Sequence, residues 1–205
     1  MRKLVEHAAQ IAVAPRSSTS RKANARQKVR PQLQRLLDQL IETPALVLGP
    51  RMEILAWNSL AERVYLPFSE LPAKERNFVR LIFIDRRMRT LFEDWEAVAK
   101  ACIAIIRREA ASNPDDPGLA ALVGELTLAD DQFGRWWSAR TVTRQDFGTK
   151  VLRNALVGDL TLDWDIFRYA SAPEQQLVIN SATAGSKTHE RLATLRTLDR
   201  DPTRT

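Results

Sequence analysis

The spacing of apolar residues changes three times along this chain, and each change predicts a different kind of element. Leucines recur at helical spacing over residues 31–43, apolar and polar positions alternate over 44–58, helical spacing returns over 73–138, and alternation returns after 147. Helical spacing gathers apolar side chains on one side of a helix, whereas alternation gathers them on one face of a strand. The pattern therefore predicts one helix, two strands, a helical middle and three more strands.

The first predicted elements are a helix and a β-hairpin. The apolar stripe of the helix consists of Leu33, Leu36, Leu37, Leu40 and Ile41. It is stopped by Thr43-Pro44, because the residue before a proline disfavours helical geometry. The segment PALVLGPRMEILAWN (Pro44–Asn58) then alternates on both sides of Gly49-Pro50, which predicts two strands joined by a turn. Asn58-Ser59 is expected to cap a short helix after the hairpin.

The middle of the chain is predicted to hold four helices, and polar residues typical of helix caps stand at the start of the last two. They run from about Ala73 to Phe83, from Met88 to about Ala110, from the loop Asn113–Gly118 onward, and from Asp130-Asp131 through Trp137. Three strands follow, over Phe147–Arg153, Val157–Tyr169 and Gln175–Asn180, and a last helix is expected over Thr188–Leu198. In the second of these strands Leu160 and Leu162 alternate with Thr161 and Asp163, so one face is expected to be buried.

Charge divides the chain into unequal parts. Residues 1–30 carry eight lysines or arginines and one acidic residue, whereas residues 31–205 carry 23 basic and 24 acidic residues. We therefore expect a basic flexible arm or linker remnant over 1–30, one folded domain over 31–198 and a frayed tail over 199–205. A solvated leader with no role remains an open alternative for the arm.

Composition limits the compartment and the chemistry. No apolar run reaches the roughly 18 residues that span a bilayer, and the N-terminus lacks the apolar core of a secretory signal. A single cysteine, Cys102, fits a reducing compartment, so a cytoplasmic location is expected. Cys102 lies in an apolar helical stripe, where a buried and inert thiol is the usual outcome.

The sequence offers no motif for catalysis. The two histidines, His7 and His189, and the one cysteine make no cluster with metal-ligand spacing. No nucleophile elbow and no phosphate-binding glycine loop occurs. We therefore expect no catalytic residue, no metal and no cofactor. The charges between Arg86 and Glu96 are interpreted as a solvated helix face with pairs one turn apart.

Taken together, several segments resemble one family, the MmyB-like ligand-binding domain, which follows a helix-turn-helix of the XRE type in bacterial transcription regulators. The resemblance covers about residues 30–198, and it rests on the order and spacing of LQRLLDQL, PALVLGPRMEILAWN, ERNFVRLIFID, DWEAVAKACIAIIRRE, DPGLAALVGEL, DDQFGRWWSARTV, GTKVLRNALVGDLTL and QQLVIN. It implies an α+β, PAS-like fold: a five-stranded antiparallel sheet with a helical insertion after strand two and an N-terminal helix. It also implies an apolar pocket for a fatty-acid-like molecule.

The resemblance also suggests the residues of a ligand site. The candidates are Trp57, Arg76, Asn77, Phe83, Arg89, Trp95 and Trp137. The four aromatic side chains among them are expected to line a cavity, with core packing as the alternative. Arg76 or Arg89 is a candidate for binding an acyl carboxylate. For Asn77, and for Asn58, which also matches a recurring position, helix capping is preferred to ligand binding.

The chain departs from the family at several positions. Arg140 and Asn154-Ala155 replace a histidine and a His-Pro pair, and NSATAGS (Asn180–Ser186) replaces a run like Tyr-Thr-Ala-Glu-Pro-Gly. These losses weaken any pH-switch role at the two histidine positions. Residues 1–30 are too short and too poor in core residues for a helix-turn-helix. DNA binding is therefore expected only if that domain is supplied upstream or by a partner.

Three functions follow, in order of preference. The first is a non-catalytic ligand-sensing domain of a transcription regulator. The second is a stand-alone lipid or small-molecule carrier. The third is an interaction module that forms a homodimer through the 33–41 helix, whose leucine stripe suits such an interface. No membrane partner is expected.

Overall fold

The computed structural model describes residues 28–139, 147–169 and 172–198. Most of the predicted basic arm, the predicted tail over 199–205 and Arg140 lie outside these ranges.

The described chain contains eight α-helices and five strands. In chain order they are α1 (Pro31–Gln39), β1 (Ala45–Leu48), β2 (Ile54–Trp57), α2 (Ser59–Val64), α3 (Phe78–Ile84), α4 (Arg86–Leu91), α5 (Trp95–Ser112), α6 (Pro117–Ala129), α7 (Asp131–Ser138), β3 (Phe147–Asn154), β4 (Gly158–Tyr169), β5 (Ala172–Ser181) and α8 (Lys187–Thr197), with a 3₁₀ turn at Phe68–Glu70.

The five strands form one antiparallel sheet in the order β2-β1-β5-β4-β3. The helices α2 to α7 are inserted between β2 and β3, and α1 precedes the sheet. The predicted α+β class, the five antiparallel strands, the helical insertion after strand two and the N-terminal helix are confirmed. The arrangement is compatible with a PAS-like fold.

Both faces of the sheet are covered, but by different amounts of protein. We call the face that carries Leu46, Leu152, Leu160, Leu162 and Val178 the inner face, and its apolar residues form one core with residues of helices α2 to α8. The opposite, outer face carries Ala45, Val47, Ala56 and Leu177, which pack against Leu37 of α1. A register shift between Val47 and Leu48 skips Leu55 and places Ile54 on the inner face and Ala56 on the outer face.

Helix caps predicted from the sequence begin several of these helices. Asn58 accepts a hydrogen bond from the amide of Ala61, and Asp130 accepts one from the amide of Phe133. Asp116 accepts from the amides of Gly118 and Leu119 at the start of α6. These side chains satisfy amides that the first turn of a helix leaves without a partner.

The helix predicted over Met88–Ala110 is wrong, because it is divided into α4 and α5. Phe92 has extended backbone geometry and forms a β-bridge with Leu152 at the free edge of β3. The amide of Glu93 then donates to the carbonyl of Val151 at 3.0 Å, and Asp94 caps α5. The apolar spacing continues through this break, so the edge of the sheet, and not the local pattern, ends α4.

The helix predicted over Ala73–Phe83 begins later than expected, at Phe78. Asn77 caps it by accepting a hydrogen bond from the amide of Arg80 at 3.0 Å, while the Asn77 side-chain amide donates to the carbonyl of Arg51 at 2.7 Å. Because Asn77 also bridges to Glu53 as an isolated β-pair, the residue is extended and cannot continue a helix. In the ranges that the structure describes, no helix is long and apolar enough to cross a bilayer.

Candidate functional site

Three of the predicted site residues meet in a cluster between α3, α5 and α7. We call it the aromatic cluster, and it consists of Phe83, Trp95, Phe133, Trp136 and Trp137. The ring centroids of Phe83 lie 5.6 Å from Trp95 and 5.0 Å from Phe133, both edge to face. Trp137 stacks on Phe133 at 5.9 Å. Three of the predicted site residues therefore lie together in the fold. Their rings contact one another, as core packing requires.

Arg89 lies over this cluster. Its guanidinium carbon is 4.0 Å from the centroid of the Trp95 ring, within the range of a cation–π contact. The guanidinium also donates to Gln132 Oε1 at 3.2 Å and lies 3.7 Å from an Asp130 carboxylate oxygen. Its side chain is 46% exposed, so Arg89 covers Trp95 from the solvent side. On its other side, Trp95 is held by a hydrogen bond, because its indole nitrogen donates to the carbonyl of Ile82 at 2.8 Å.

The other predicted residues form a second group beside the hairpin. The Trp57 ring contacts Phe68 edge to face at 5.5 Å, and the Arg76 guanidinium lies 5.2 Å from the Trp57 centroid. Arg76 donates to the carbonyls of Leu71 at 2.9 Å and Ser69 at 3.0 Å. These bonds hold the loop before α3 and engage much of the guanidinium. The predicted site residues thus fall into two groups of aromatic rings, each with an arginine above it.

Both asparagines act as caps, as the sequence analysis preferred. Asn77 begins α3, as described above, and is 7% exposed. Asn58 Oδ1 accepts from the amides of Ala45 and Ala61, and its Nδ2 donates to the carbonyls of Leu40 and Thr43. All four bonds join backbone groups, so Asn58 has a structural role at the junction of α1, β1 and α2.

A surface cleft lies between the loop before α3 and the start of α4. It has a volume of about 300 Å³ and is lined by Leu71, Glu75, Arg80, Leu81, Ile84, Asp85 and Arg86. Charges of both signs surround it, and the hydrogen bond from Arg87 holds the pKa of Asp85 below its usual range. A cleft of this composition is not the apolar cavity that a fatty-acid-like ligand requires.

A polar group that the sequence analysis did not identify lies on the inner face of the sheet. Lys150 of β3 is directly opposite Leu162 of β4, and the neighbouring pair on the same face is Leu152 and Leu160. All three leucines are 0% exposed. Lys150 Nζ is 5.3 Å from the centroid of the Tyr65 ring and 5.9 Å from that of Trp164. A lysine therefore projects into the apolar layer between the sheet and the helices.

Burial changes the proton affinities in this layer. Loss of hydration lowers the pKa of Lys150 to about 7, and it raises the pKa of the Cys102 thiol to about 12. Burial also raises the pKa of Tyr65, whose hydroxyl donates to Asn180 Oδ1 at 2.8 Å. Cys102 is 3% exposed, which confirms the predicted buried thiol. Near neutral pH the thiol and the phenol keep their protons, and Lys150 is the group in this layer that exchanges one.

The sequence carries one signal for the position of Lys150. In the predicted strand Phe147–Arg153, Lys150 shares the parity of Leu152, so inward-facing Leu152 places Lys150 on the same face. The charges between Arg86 and Glu96 follow the predicted pattern only in part: Glu96 pairs with Lys100 one turn later at 2.5 Å on the exposed side of α5, whereas Arg89 lies 3.7 Å from Asp130 and Arg153 of β3 lies 3.7 Å from Glu93. In the part of the chain that the structure describes, no three His, Cys, Asp or Glu residues are grouped to hold a metal ion.

Comparison with known proteins identifies the family. The family model of the MmyB-like transcription regulator ligand binding domain matches residues 29–195. A search of curated proteins finds no match to this chain. The matched range runs from just before α1 into α8, so it includes the whole sheet, the aromatic cluster and the layer around Lys150. The chain therefore belongs to the family of MmyB-like transcription regulator ligand binding domains.

Proposed function

We propose that this chain is the ligand-sensing domain of a bacterial, cytoplasmic transcription regulator, and that its ligand is a fatty-acid-like or other apolar small molecule. The observation that carries the proposal is the family match over residues 29–195, which covers every element of the sheet and of its helical layer. We propose no catalytic activity for it. A change of ligand state, and not a reaction, is the event that such a domain reports.

The proposed ligand site lies in the core between the inner face of the sheet and the helices that cover it, because both groups of tryptophans pack against this core. Trp57, Trp95 and Trp137 are half-buried, so each ring contacts the core and keeps some accessible surface. Phe83 is 6% exposed and supports Trp95 from the side of α3. Half-buried tryptophans suit an apolar ligand, because a large ring can exchange a protein contact for a ligand contact with little loss of buried area.

The proposed output of the domain passes through α1. Leu37 of α1 packs on the outer face, and the carbonyls of Leu40 and Thr43 accept hydrogen bonds from Asn58, the cap of α2. A ligand that shifts α2 on the inner face therefore also acts on the end of α1. We propose that DNA is bound by a helix-turn-helix supplied upstream or by a partner, and that α1 transmits the ligand state to it.

Native mass spectrometry of the purified chain, followed by organic extraction, tests the proposed ligand. A stoichiometric acyl chain or another apolar molecule supports a sensory or carrier domain and identifies the ligand class. A chain that carries nothing, and whose tryptophan fluorescence does not change on titration with dodecanoate, overturns the ligand-sensing proposal and favours an interaction module.

A second candidate function, a dimerisation module, is favoured by the exposed side of α1. Leu36 is 44% exposed and Ile41, just after the helix, is 62% exposed, although both belong to the leucine stripe. A stripe of this kind is covered when two copies pair. The two functions are compatible, since a sensor that dimerises through α1 couples its ligand state to a paired DNA-binding unit. A stand-alone carrier differs from both, because it acts without any associated DNA-binding domain.

A further inference from the structure

Lys150 occupies a position that packing alone does not explain. The face of β3 and β4 around it consists of fully buried leucines, and every other inward residue named on that face is apolar or neutral. Aromatic rings from two different elements, Tyr65 after α2 and Trp164 on β4, lie 5.3 and 5.9 Å from its amine. Cys102 of α5 is close enough to interact electrostatically with Lys150. Three elements thus surround one cation.

The amine of Lys150 has no hydrogen-bond acceptor and no ion-pair partner within the described chain. Its nitrogen forms no hydrogen bond and no ion pair with any residue that the structure describes. In the same ranges, every fully buried side-chain nitrogen or oxygen atom does have a hydrogen-bond partner. Lys150 Nζ must therefore border a space that a solvent-sized group can reach. It is a poorly hydrated donor that faces accessible space and lacks an acceptor.

We propose that Lys150 binds the acidic group of the ligand, between Tyr65 and Trp164. This inference rests on the proposed function and names the group that recognises the ligand head. The chemical class follows from the surroundings: an anion restores the hydration energy that Lys150 loses, and the apolar layer around it takes the remainder of the molecule. Arg76 and Arg89 are less suited, because their guanidiniums already donate to protein acceptors.

The proposal makes binding of an acid depend on pH. Among the residues that the structure describes, the titratable groups found to interact with Lys150 are Tyr65 and Cys102, and burial keeps both protonated well above neutral pH. Lys150 itself loses its proton near pH 7 when no anion is present. Affinity for a carboxylate is therefore expected to fall as the pH rises above 7, by up to about tenfold per unit, because only the ammonium form attracts the anion.

The test compares two probes that differ only in the head group, dodecanoate and dodecan-1-ol, by isothermal titration at pH 7. The Lys150→Met variant keeps the length and volume of the side chain and removes its charge. It is expected to bind dodecanoate about 10- to 100-fold more weakly than the wild type and to bind dodecanol equally well. Lys150→Arg should retain most of the affinity for dodecanoate. The exposed Lys187, on α8, provides the matched control Lys187→Met, which should change neither affinity.

The outcomes separate this inference from the proposed function. If Lys150→Met weakens both probes equally, or neither, Lys150 does not recognise the head group, although an apolar ligand site remains. If the wild type binds neither probe, the inference and the proposed ligand class are both overturned. A second measurement does not depend on the variant: the Lys150 pKa, followed by NMR of its side chain, should rise on addition of dodecanoate. An unchanged pKa in a saturated complex would also overturn the assignment.

Discussion

The environment of Lys150 differs strongly from that of a lysine side chain in water. Its pKa is lowered from 10.5 to about 7 by burial, and the two cation–π contacts return only about 0.5–2 kcal/mol each. The charged form is therefore destabilised in the folded chain. Such a residue reduces stability when it is protonated, which suggests a role other than packing.

Replacing Lys150 with methionine is expected to stabilise the chain at neutral pH. The unfolded chain keeps the Lys150 proton up to about pH 10.5, whereas the folded chain releases it near pH 7. The loss of folding stability caused by the buried ammonium is therefore complete below pH 7 and disappears above pH 10.5. The free energy of unfolding of Lys150→Met should exceed that of the wild type at pH 7, and this excess should be about 2 kcal/mol smaller at pH 9. Urea unfolding at both pH values measures this change.

The exposed Lys187 provides the control for that experiment. Lys187→Met should give a difference from wild type that is nearly the same at pH 7 and pH 9. The Cys102 thiol, whose reference pKa is 9.0, also titrates in the unfolded chain, but it is present in wild type and variants alike, so its contribution cancels in the difference between them. If the difference in free energy of unfolding between Lys150→Met and the wild type is the same at both pH values, the pKa of Lys150 is not lowered in the folded chain.

Trp95 allows packing to be separated from ligand binding. Trp95→Phe keeps a ring against Phe83 but leaves the carbonyl of Ile82 without its donor, so a loss of about 1–2 kcal/mol in stability is expected. Trp95→Ala should lose about 2–4 kcal/mol and weaken dodecanoate binding more than Trp95→Phe does. Urea unfolding and titration of both variants test this. If the two variants bind dodecanoate alike, Trp95 serves the core alone.

At the scale of elements, the junction of α1, β1 and α2 depends on one side chain. The sequence predicts Asn58 as a cap because it stands directly before the apolar positions of a short helix. Its contacts with α1 and β1 were not predictable, since they join residues up to 18 positions apart. Local and distant contacts also differ at α4 and α5. Local spacing predicted one helix, whereas the β-bridge between Phe92 and Leu152 divides it into two.

Asn58→Ala is expected to destabilise the chain by about 2–3 kcal/mol, because four backbone groups lose their partner at once. Asn58→Asp keeps the acceptor for Ala61 and loses both donors, so a loss of at least 1 kcal/mol is expected. Urea unfolding followed by circular dichroism provides the measurement. Asn113, whose exposed side chain donates only to Glu109 Oε1 at 2.6 Å, is the matched control, and Asn113→Ala should change stability by less than about 0.5 kcal/mol.

At the scale of the whole molecule, the two faces of the sheet differ in what covers them. The inner face is covered by helices from α2 to α8, whereas the small outer core is covered by α1. The leucine stripe of α1 is wider than the area it buries, so Leu36 remains exposed. This unequal cover makes α1 the element through which a second copy, or an attached domain, is best placed to contact the fold.

Leu36→Glu is expected to prevent dimer formation if two chains pair through α1, because a buried carboxylate without a partner opposes association. Leu128, which is 91% exposed near the end of α6, provides the control, and Leu128→Glu should leave the mass unchanged. Sedimentation equilibrium of the three chains measures the mass. A wild-type dimer that persists in Leu36→Glu places the interface elsewhere.

The sequence by itself determined the order of helices and strands, except for the division of one predicted helix into α4 and α5, together with several of the caps and the family resemblance. These features depend on local rules: the period of apolar residues, and a capping side chain that accepts a hydrogen bond from the amide three residues later. Only the tertiary structure decided which elements meet. It divided Met88–Ala110 at the edge of β3, separated the predicted site residues into two groups, and placed Lys150 among buried leucines. Burial and partner choice are properties of contacts between distant segments, and no local pattern carries them.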